Sequence, residues 1–313
     1  MRAVVTGGAG FIGSHLADEL IARGAEVHII DNRAAWDSAF VHPSAEIHAE
    51  DIRSEKVKEI FQGIRPDTVF HLAAQVDVRR SVKSPRQDAD INLAGTLNVL
   101  EAAKTAGVKK IIFSSTSAVY GEKKDGKIRE TSPPDPVSFY GLSKWAGEKY
   151  IELFSRIHHL PFTILRYGNV YGPRQRGEGE AGVIAVFLEK LSRKEPFTVY
   201  GDGEQTRDFI YVSDVVEATI AAADKGDGEI IHVSTGKKTS LNTLIRTLER
   251  IHGTALNVNY QAEKPGDIKE SCLDNEKAKR ILGFQPKVSL MEGLKITYQW
   301  KMGMEKGHDR RRS

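Results

Sequence analysis

The sequence predicts an α/β protein: a doubly wound parallel sheet with a smaller C-terminal α/β lobe. Three observations carry this prediction. Short β-branched runs alternate with helical patterns through the first half of the chain. Those runs are apolar throughout rather than alternating, as strands covered on both faces are. A glycine-rich turn joins the first run to the first helical pattern, as in nucleotide-binding sheets of Rossmann type.

Residues 3–6 (AVVT) form the first predicted strand, and 11–23 the first helix, ended by Gly24. Strands follow at 26–31, 46–49, 68–71, 110–114 and 162–167. Helices are predicted at 54–62, 86–106 and 139–158. After Gly168 the texture changes. Glycine and charge cluster at 172–182 and 201–208, which read as loops, and helices follow at 241–252 and 277–282. We expect a nucleotide-binding unit over 1–168, a return of the chain to it near 208–238, and a smaller lobe built mainly from 169–313.

The 313 residues are 40% hydrophobic and 28% charged, enough apolar surface to exclude a disordered chain. Lys+Arg 45 against Asp+Glu 42 leaves +3, which does not call for a nucleic-acid partner. The basic end, HDRRRS, reads as a solvated tail. No apolar run approaches the roughly 18 residues of a membrane span, and the N-terminal apolar segment is too short for a signal peptide. Cys272 is the single cysteine, so no internal disulfide forms. These points lead us to expect a cytoplasmic protein.

Gly7, Gly10 and Gly13 follow the first strand and open the first helix. Such spacing allows a tight turn, close approach to a pyrophosphate and close helix–strand packing, while the helix N-terminus faces the phosphates with N–H groups. Asp31 ends the second strand, where a carboxylate accepts from both adenosine ribose hydroxyls and repels a 2′-phosphate. NAD is therefore expected over NADP, although Arg33 nearby softens the preference. Asp51, with Ile52, is open to two readings: an acceptor for the adenine amino group, or a helix cap before Ser54. Ala73, Ala74 and Gln75 follow the fourth strand, where small residues let the backbone approach a cofactor. His71 there reads as a satisfied core histidine rather than a catalyst.

Tyr140 and Lys144 are spaced YxxxK at the start of a helix and share one face. A lysine ammonium beside the phenol stabilises phenolate and lowers a pKa ordinarily near ~10. Tyr140 is then a base for a sugar or alcohol hydroxyl. Thr116, ending the run SST, is placed to hydrogen-bond the same oxygen and relay its proton.

The stretches TGGAGFIGSHL, IIDN, VFHLAAQ, SSTSAVYG, YGLSK, LRYGNVYGPRQ, GDGEQTRDFIYVSD and KPGD span roughly residues 4 to 267. Together they resemble the extended short-chain dehydrogenase/reductase family, most closely its UDP-glucose 4-epimerase group. The resemblance implies bound NAD, a UDP-sugar substrate, and Thr116, Tyr140 and Lys144 as the catalytic set. It implies that Phe11, Ile12, Asn32, Asn92, Ser114 and Tyr167 join the NAD contacts. It also implies that Asn169, Val183, Tyr200, Arg207 and Asp267, with Thr116, hold the UDP-sugar. Physically, Arg207 after a glycine turn suits a guanidinium fork onto a diphosphate, or a surface ion pair with Asp208. Asp267 after Pro-Gly suits ribose hydroxyls or simply a turn. Glu178 and Glu180 read as a loop over the sugar or as a solvated edge.

Within the family, dehydratases follow the threonine with an Asp-Glu pair, and decarboxylases carry a glutamate in that segment. Here Ser117 and Ala118 stand there, which leaves oxidation at C4, rotation of the ketone and re-reduction, that is 4-epimerisation. A sugar that must turn over is gripped through its nucleotide. Ser271 lies where a bulky residue narrows some epimerase pockets, so an N-acetyl group is a second possibility, and UDP-glucuronate with Arg176 as carboxylate partner a third. Lys264 replaces the usual arginine of RPGD, and Phe139 a frequent proline. A redox-neutral cycle predicts NAD that co-purifies. A reductase with exchanging cofactor and a non-catalytic dinucleotide sensor are the competing classes. A homodimer is expected through Ile91, Leu93, Leu97, Leu100, Trp145, Ile151 and Phe154, since family members pair through these two helices.

Overall fold

The computed structural model describes residues 1–32, 40–123, 126–177, 182–263 and 268–309, with side chains through 303. Arg33, Glu178, Glu180, Lys264 and Asp267 lie outside the described residues.

Seven parallel strands form the main sheet: β1 (Arg2–Thr6), β2 (Glu26–Ile30), β3 (Glu46–His48), β4 (Thr68–His71), β5 (Lys110–Thr116), β6 (Phe162–Tyr167) and, much later in the chain, Glu229–Val233. The last of these pairs with β6, and the spatial order is Glu229–Val233, β6, β5, β4, β1, β2, β3. The order reverses between β1 and β4, which opens a crevice at their carboxyl ends, the usual ligand position in such sheets.

Helices cover both faces. On one side pack α1 (Phe11–Ala22) and a later helix, Val212–Asp224; on the other lie α2 (Lys56–Ile64) and Gly95–Ala106. The two cores are dominated by β-branched and leucine side chains from the strands, such as Val5 and Ile29 on one face and Val4 and Ile111 on the other. The continuous apolar runs in the sequence have this cause.

The helix predicted over 86–106 is broken into three. Its three parts are α4 (Pro85–Ala89) with proline at its first turn, a π-helical turn over Asp90–Ala94, and α5 (Gly95–Ala106); a separate short helix, α3 (Val78–Lys83), precedes them. Next comes α6 (Phe139–His158), with the predicted bounds. Ser138 caps it by accepting from the Gly141 N–H at 3.1 Å.

Beyond β6 the chain adds β7 (Asn169–Tyr171), α7 (Val183–Ser192), β8 (Phe197–Tyr200), β9 (Thr206–Arg207), β10 (Phe209–Tyr211), α8 (Val212–Asp224) and β11 (Glu229–Val233). Then follow β12 (Thr239–Ser240), α9 (Leu241–His252), β13 (Val258–Gln261), α10 (Glu276–Leu282) and α11 (Leu290–Asp309). Phe187, Phe197, Leu244 and Leu248 anchor a third core there, distinct from the two flanking the sheet. No described helix is long and apolar enough to cross a membrane.

One expectation about the helices is corrected. Leu100 and Ile151 are buried in the core under α5 and α6, and Leu97 and Phe154 pack partly against it. The exposed apolar stripe of α6 is instead Leu142, Tyr150, Leu153 and Ile157. Both faces of α6 carry apolar residues, and periodicity alone does not say which one meets the sheet.

Candidate active site

The turn after β1 is shaped by close contacts. A methyl group at Gly13 would overlap the Gly7 carbonyl oxygen, so only glycine fits there. Helix α1 starts at Gly10 with no side-chain cap, and Ser14 N–H is the one that reaches back to the Gly10 carbonyl. Phe11, Ile12 and Gly13 form that uncapped first turn at the crevice. Asp31 lies at the end of β2 and accepts from the Ala9 N–H at 3.1 Å, which ties the acidic residue to the glycine turn. An uncapped helix end beside a buried carboxylate fits a dinucleotide: phosphate at one, ribose hydroxyls at the other.

Asn32 donates to Asp51 at 3.1 Å. Arg53 forks onto the same carboxylate at 2.8 and 3.0 Å and holds it well below the usual carboxylate range. Asp51 also accepts the Arg53 N–H at 2.9 Å, so it serves the local turn as well. Ile52 is buried against Gly95 at the head of α5. Ala73 N–H donates to Thr6 Oγ1 at 3.2 Å, beside the glycine turn. Gln75 and Asn92 clamp one another: the Gln75 N–H donates to Asn92 Oδ1 at 2.7 Å, and Asn92 Nδ2 donates to the Gln75 carbonyl at 2.9 Å. Ala74 lies between these two contacts in the chain. The π-helical turn contains Asn92 and is what aims it inward.

Thr116 ends β5 with its side chain beside the Tyr140 hydroxyl, whose pKa it lowers. Gly141 lets α6 reach it: a Cβ there would stand 2.5 Å from the Ala118 carbonyl oxygen. Burial pushes the Tyr140 hydroxyl up to about 12, with Asp88 adding to the rise and Thr116 opposing it. Lys144 is buried with Nζ 4.0 Å from the Phe113 ring centroid, and burial pulls its ammonium down to about 7, against Glu148 and Asp88. The lowering of Tyr140 by Lys144 expected from the sequence is not among these causes, and desolvation sets the direction. His71 is a satisfied core histidine, bonded to Thr6 at 2.7 Å and Thr96 at 2.9 Å.

Four polar residues behind this pair were not singled out from the sequence. Asp88 is buried and accepts from Ser143 Oγ at 2.6 Å and Gln75 Nε2 at 2.8 Å, which links α4, α6 and the cofactor crevice. Glu148, one turn beyond Lys144, accepts from Ser115 Oγ at 2.5 Å and is forked by Arg166 at 2.9 and 2.5 Å. The helical spacing Tyr140, Lys144, Glu148 was the available signal. Ser114 and Thr219 both bond the Tyr167 hydroxyl, the latter at 2.8 Å.

On the C-terminal side, Asn169 N–H donates to the Asp208 carbonyl at 2.8 Å where β7 meets β10. Val183 is the first residue of α7, whose N-terminus has no side-chain cap. Tyr200 ends β8 beside a cleft that Gln205 and Ile268 also line. Arg207 Nη1 donates to the Thr206 carbonyl at 2.9 Å. The surface ion pair considered for Arg207 is not what Asp208 makes. Asp208 is buried and accepts from Thr235 Oγ1 at 2.6 Å, Thr235 N–H at 2.9 Å and Gly236 N–H at 3.0 Å. Asp267 lies outside the described residues. The structure thus brings Thr116, Tyr140 and Lys144 together, and gathers the glycine turn, Asp31, Ala73 and Gln75 at the crevice.

Fold and site define an α/β enzyme class that works on a bound dinucleotide. Comparison narrows this: residues 3–234 match the NAD dependent epimerase/dehydratase family, and the chain belongs to it. It is 37% identical over 307 residues to the UDP-glucose 4-epimerase of Mycolicibacterium smegmatis, covering 96% of this chain and 98% of that one. The crystal structure of Thermotoga maritima UDP-glucose 4-epimerase with UDP-glucose superposes with TM-score 0.95 at 45% identity, over 97% of this chain and all of that one. A UDP-N-acetylglucosamine 4-epimerase of Methanobrevibacter ruminantium, solved with UDP-N-acetylmuramic acid, gives TM-score 0.92 at 36% identity, over 97% and 99%.

Proposed function

We propose that this chain interconverts UDP-glucose and UDP-galactose by oxidation at C4, rotation of the 4-keto sugar and re-reduction. The observation that carries the reading is the placement of the Thr116 side chain beside the Tyr140 hydroxyl at the sheet edge, with Lys144 one turn on and no carboxylate at 117–118. NAD, when bound, supplies the two-electron acceptor and is regenerated within one turnover. Gly7, Gly10 and Gly13, with Phe11 and Ile12, cradle its pyrophosphate; Asp31 and Asn32 take the ribose; Asp51 and Ile52 border the adenine. Ala73, Ala74, Gln75, Asn92, Ser114 and Tyr167 complete the cofactor wall.

Tyr140 takes the proton of the 4-hydroxyl and later returns it, and Thr116 relays it. Lys144 carries the charge that offsets a phenolate. Asn169, Val183, Tyr200, Arg207 and Asp267 hold the UDP, which leaves the sugar free to turn. We place the NAD-binding unit at 1–168 with the β11 return, and the substrate lobe mainly at 169–313.

A second reading, 4-epimerisation of UDP-N-acetylglucosamine, is favoured by Ser271. Its N–H donates to the Thr206 carbonyl at 3.2 Å, next to Arg207, and its small side chain leaves room there. The test is to incubate purified protein with UDP-galactose, UDP-N-acetylglucosamine and UDP-glucuronate separately, adding no NAD. UDP-glucose from the first supports the reading; no 4-epimer from any of the three refutes it. We further propose a homodimer through the exposed stripe of α6 with Val78 and Val82 of α3. A monomer by light scattering would refute that part.

A further inference from the structure

At the far edge of the sheet, β2 and β3 pair in parallel with His28 opposite Glu46 and Ile30 opposite His48. Side chains alternate across a sheet, so Glu26, His28, Glu46 and His48 emerge on one face. One ligand-type atom from each of His28, Glu46 and His48 lies within 4.8 Å of the other two. His28 Nδ1 lies 3.3 Å from His48 Nε2; Glu46 Oε2 lies 3.5 Å from the first, and Glu46 Oε1 lies 3.6 Å from the second. The imidazole rings are stacked, with an interplanar angle of 23°. We propose that His28, Glu46 and His48 bind a divalent transition-metal ion of the zinc class.

The 3.3 Å separation of His28 Nδ1 and His48 Nε2 has the length of one edge of a metal tetrahedron, and a Glu46 oxygen supplies the third corner of the triangle. Zinc bonds of about 2.0–2.2 Å at tetrahedral angles separate ligand atoms by roughly 3.4 Å. The outer contacts agree. His28 Nε2 donates to Glu26 Oε1 at 3.1 Å, which fixes the tautomer and turns the Nδ1 lone pair toward the triangle. A carboxylate that orients a ligating histidine in this way is the usual second layer of a zinc site. A plain His48 Nε2–H···Nδ1 hydrogen bond accounts for one edge only.

Two imidazoles and one carboxylate suit zinc, cobalt or nickel better than magnesium or calcium, which take oxygen ligands. Three protein ligands leave a fourth position to water. Glu46 is 65% exposed on the side chain, so an ion enters from solvent. The ion's role is to fasten the edge strand β3 to β2; it takes no part in the chemistry at Tyr140.

The test uses full-length protein without a histidine tag, stripped by a chelator and titrated with Co²⁺. One equivalent binding with visible bands of tetrahedral intensity, displaced by Zn²⁺, is expected, together with a raised melting midpoint. His48→Ala and Glu46→Gln each abolish the bands. Glu26→Gln keeps the stoichiometry and weakens affinity about 10–100-fold, as loss of an outer partner does. Should His48→Ala fail to fold, Glu46→Gln at its exposed position decides alone. Absence of tetrahedral bands, or their persistence in folded Glu46→Gln or His48→Ala, overturns the proposal.

Discussion

Glu148→Gln tests the buried charges behind the candidate catalytic helix. Glu148 and Arg166 are 0% and 2% exposed, and Arg166 forks onto the carboxylate at 2.9 and 2.5 Å. Arg166 Nη1 also donates to Tyr120 Oη at 2.5 Å, and that hydroxyl meets His232 Nε2 at 2.6 Å. The amide keeps the shape and removes the charge, leaving a guanidinium inside the protein without its counterion. Removing one partner of such a pair costs about 3–5 kcal/mol. With a melting entropy of about 2.1 cal/mol/K per residue, that loss lowers the melting midpoint of this 313-residue chain by about 5–8 °C. Differential scanning calorimetry at matched cofactor content measures it. Arg166→Met combined with Glu148→Leu should recover much of the loss, because the pair is then replaced by apolar bulk. Glu148 also raises Lys144, so the single variant should shift the pH profile of kcat as well. A Glu148→Gln protein that melts within a degree of the parent would show that the pair does not carry the stability assigned to it.

Tyr140→Phe should lower kcat by about 10²–10⁴-fold with little change in bound NAD, measured by coupled assay and by absorbance of the released cofactor. Gly13→Ala should leave a folded protein that purifies with much less NAD, because the added methyl displaces the Gly7 carbonyl from the turn. Lys144 gives a pH dependence with a definite sign. Its pKa is 10.5 unfolded and about 7 in the ligand-free native chain, so the unfolded state binds more protons between those values. Native stability therefore rises with pH across that window, and is lost again as pH falls toward 7. Lys144→Met should flatten this part of a urea-denaturation pH series. An unchanged slope would contradict the burial argument.

Much of the site was legible because its residues stand at turns and strand ends where few residue types fit. The glycine turn, Asp31, and the Thr116–Tyr140 pair all read directly from spacing. The bounds of α6 and α9 were legible from the apolar period, and in the structure Ser138 and Ser240 cap them. The π-helical turn was not, since an extra residue within a helix leaves the composition unchanged and only shifts the face on which Asn92 appears. Asp88 and Glu148 are hidden because charged residues on helices read as a solvated face, and Arg166 because a lone arginine in an apolar strand does not name its partner. Only the packing of α4 and α6 and the pairing of β5 with β6 place them inside. Asp208 is a similar case: its role as a backbone anchor depends on Thr235, Gly236 and Leu273, which arrive from later in the chain.

The central claim is that the hydrogen at C4 leaves and returns within one active site. UDP-galactose carrying deuterium at C4, converted in ordinary water without added NAD, tests it most directly. The account predicts UDP-glucose with the deuterium retained at C4, read by mass spectrometry and proton NMR. Loss of the label to solvent, or a requirement for stoichiometric added cofactor, would contradict it.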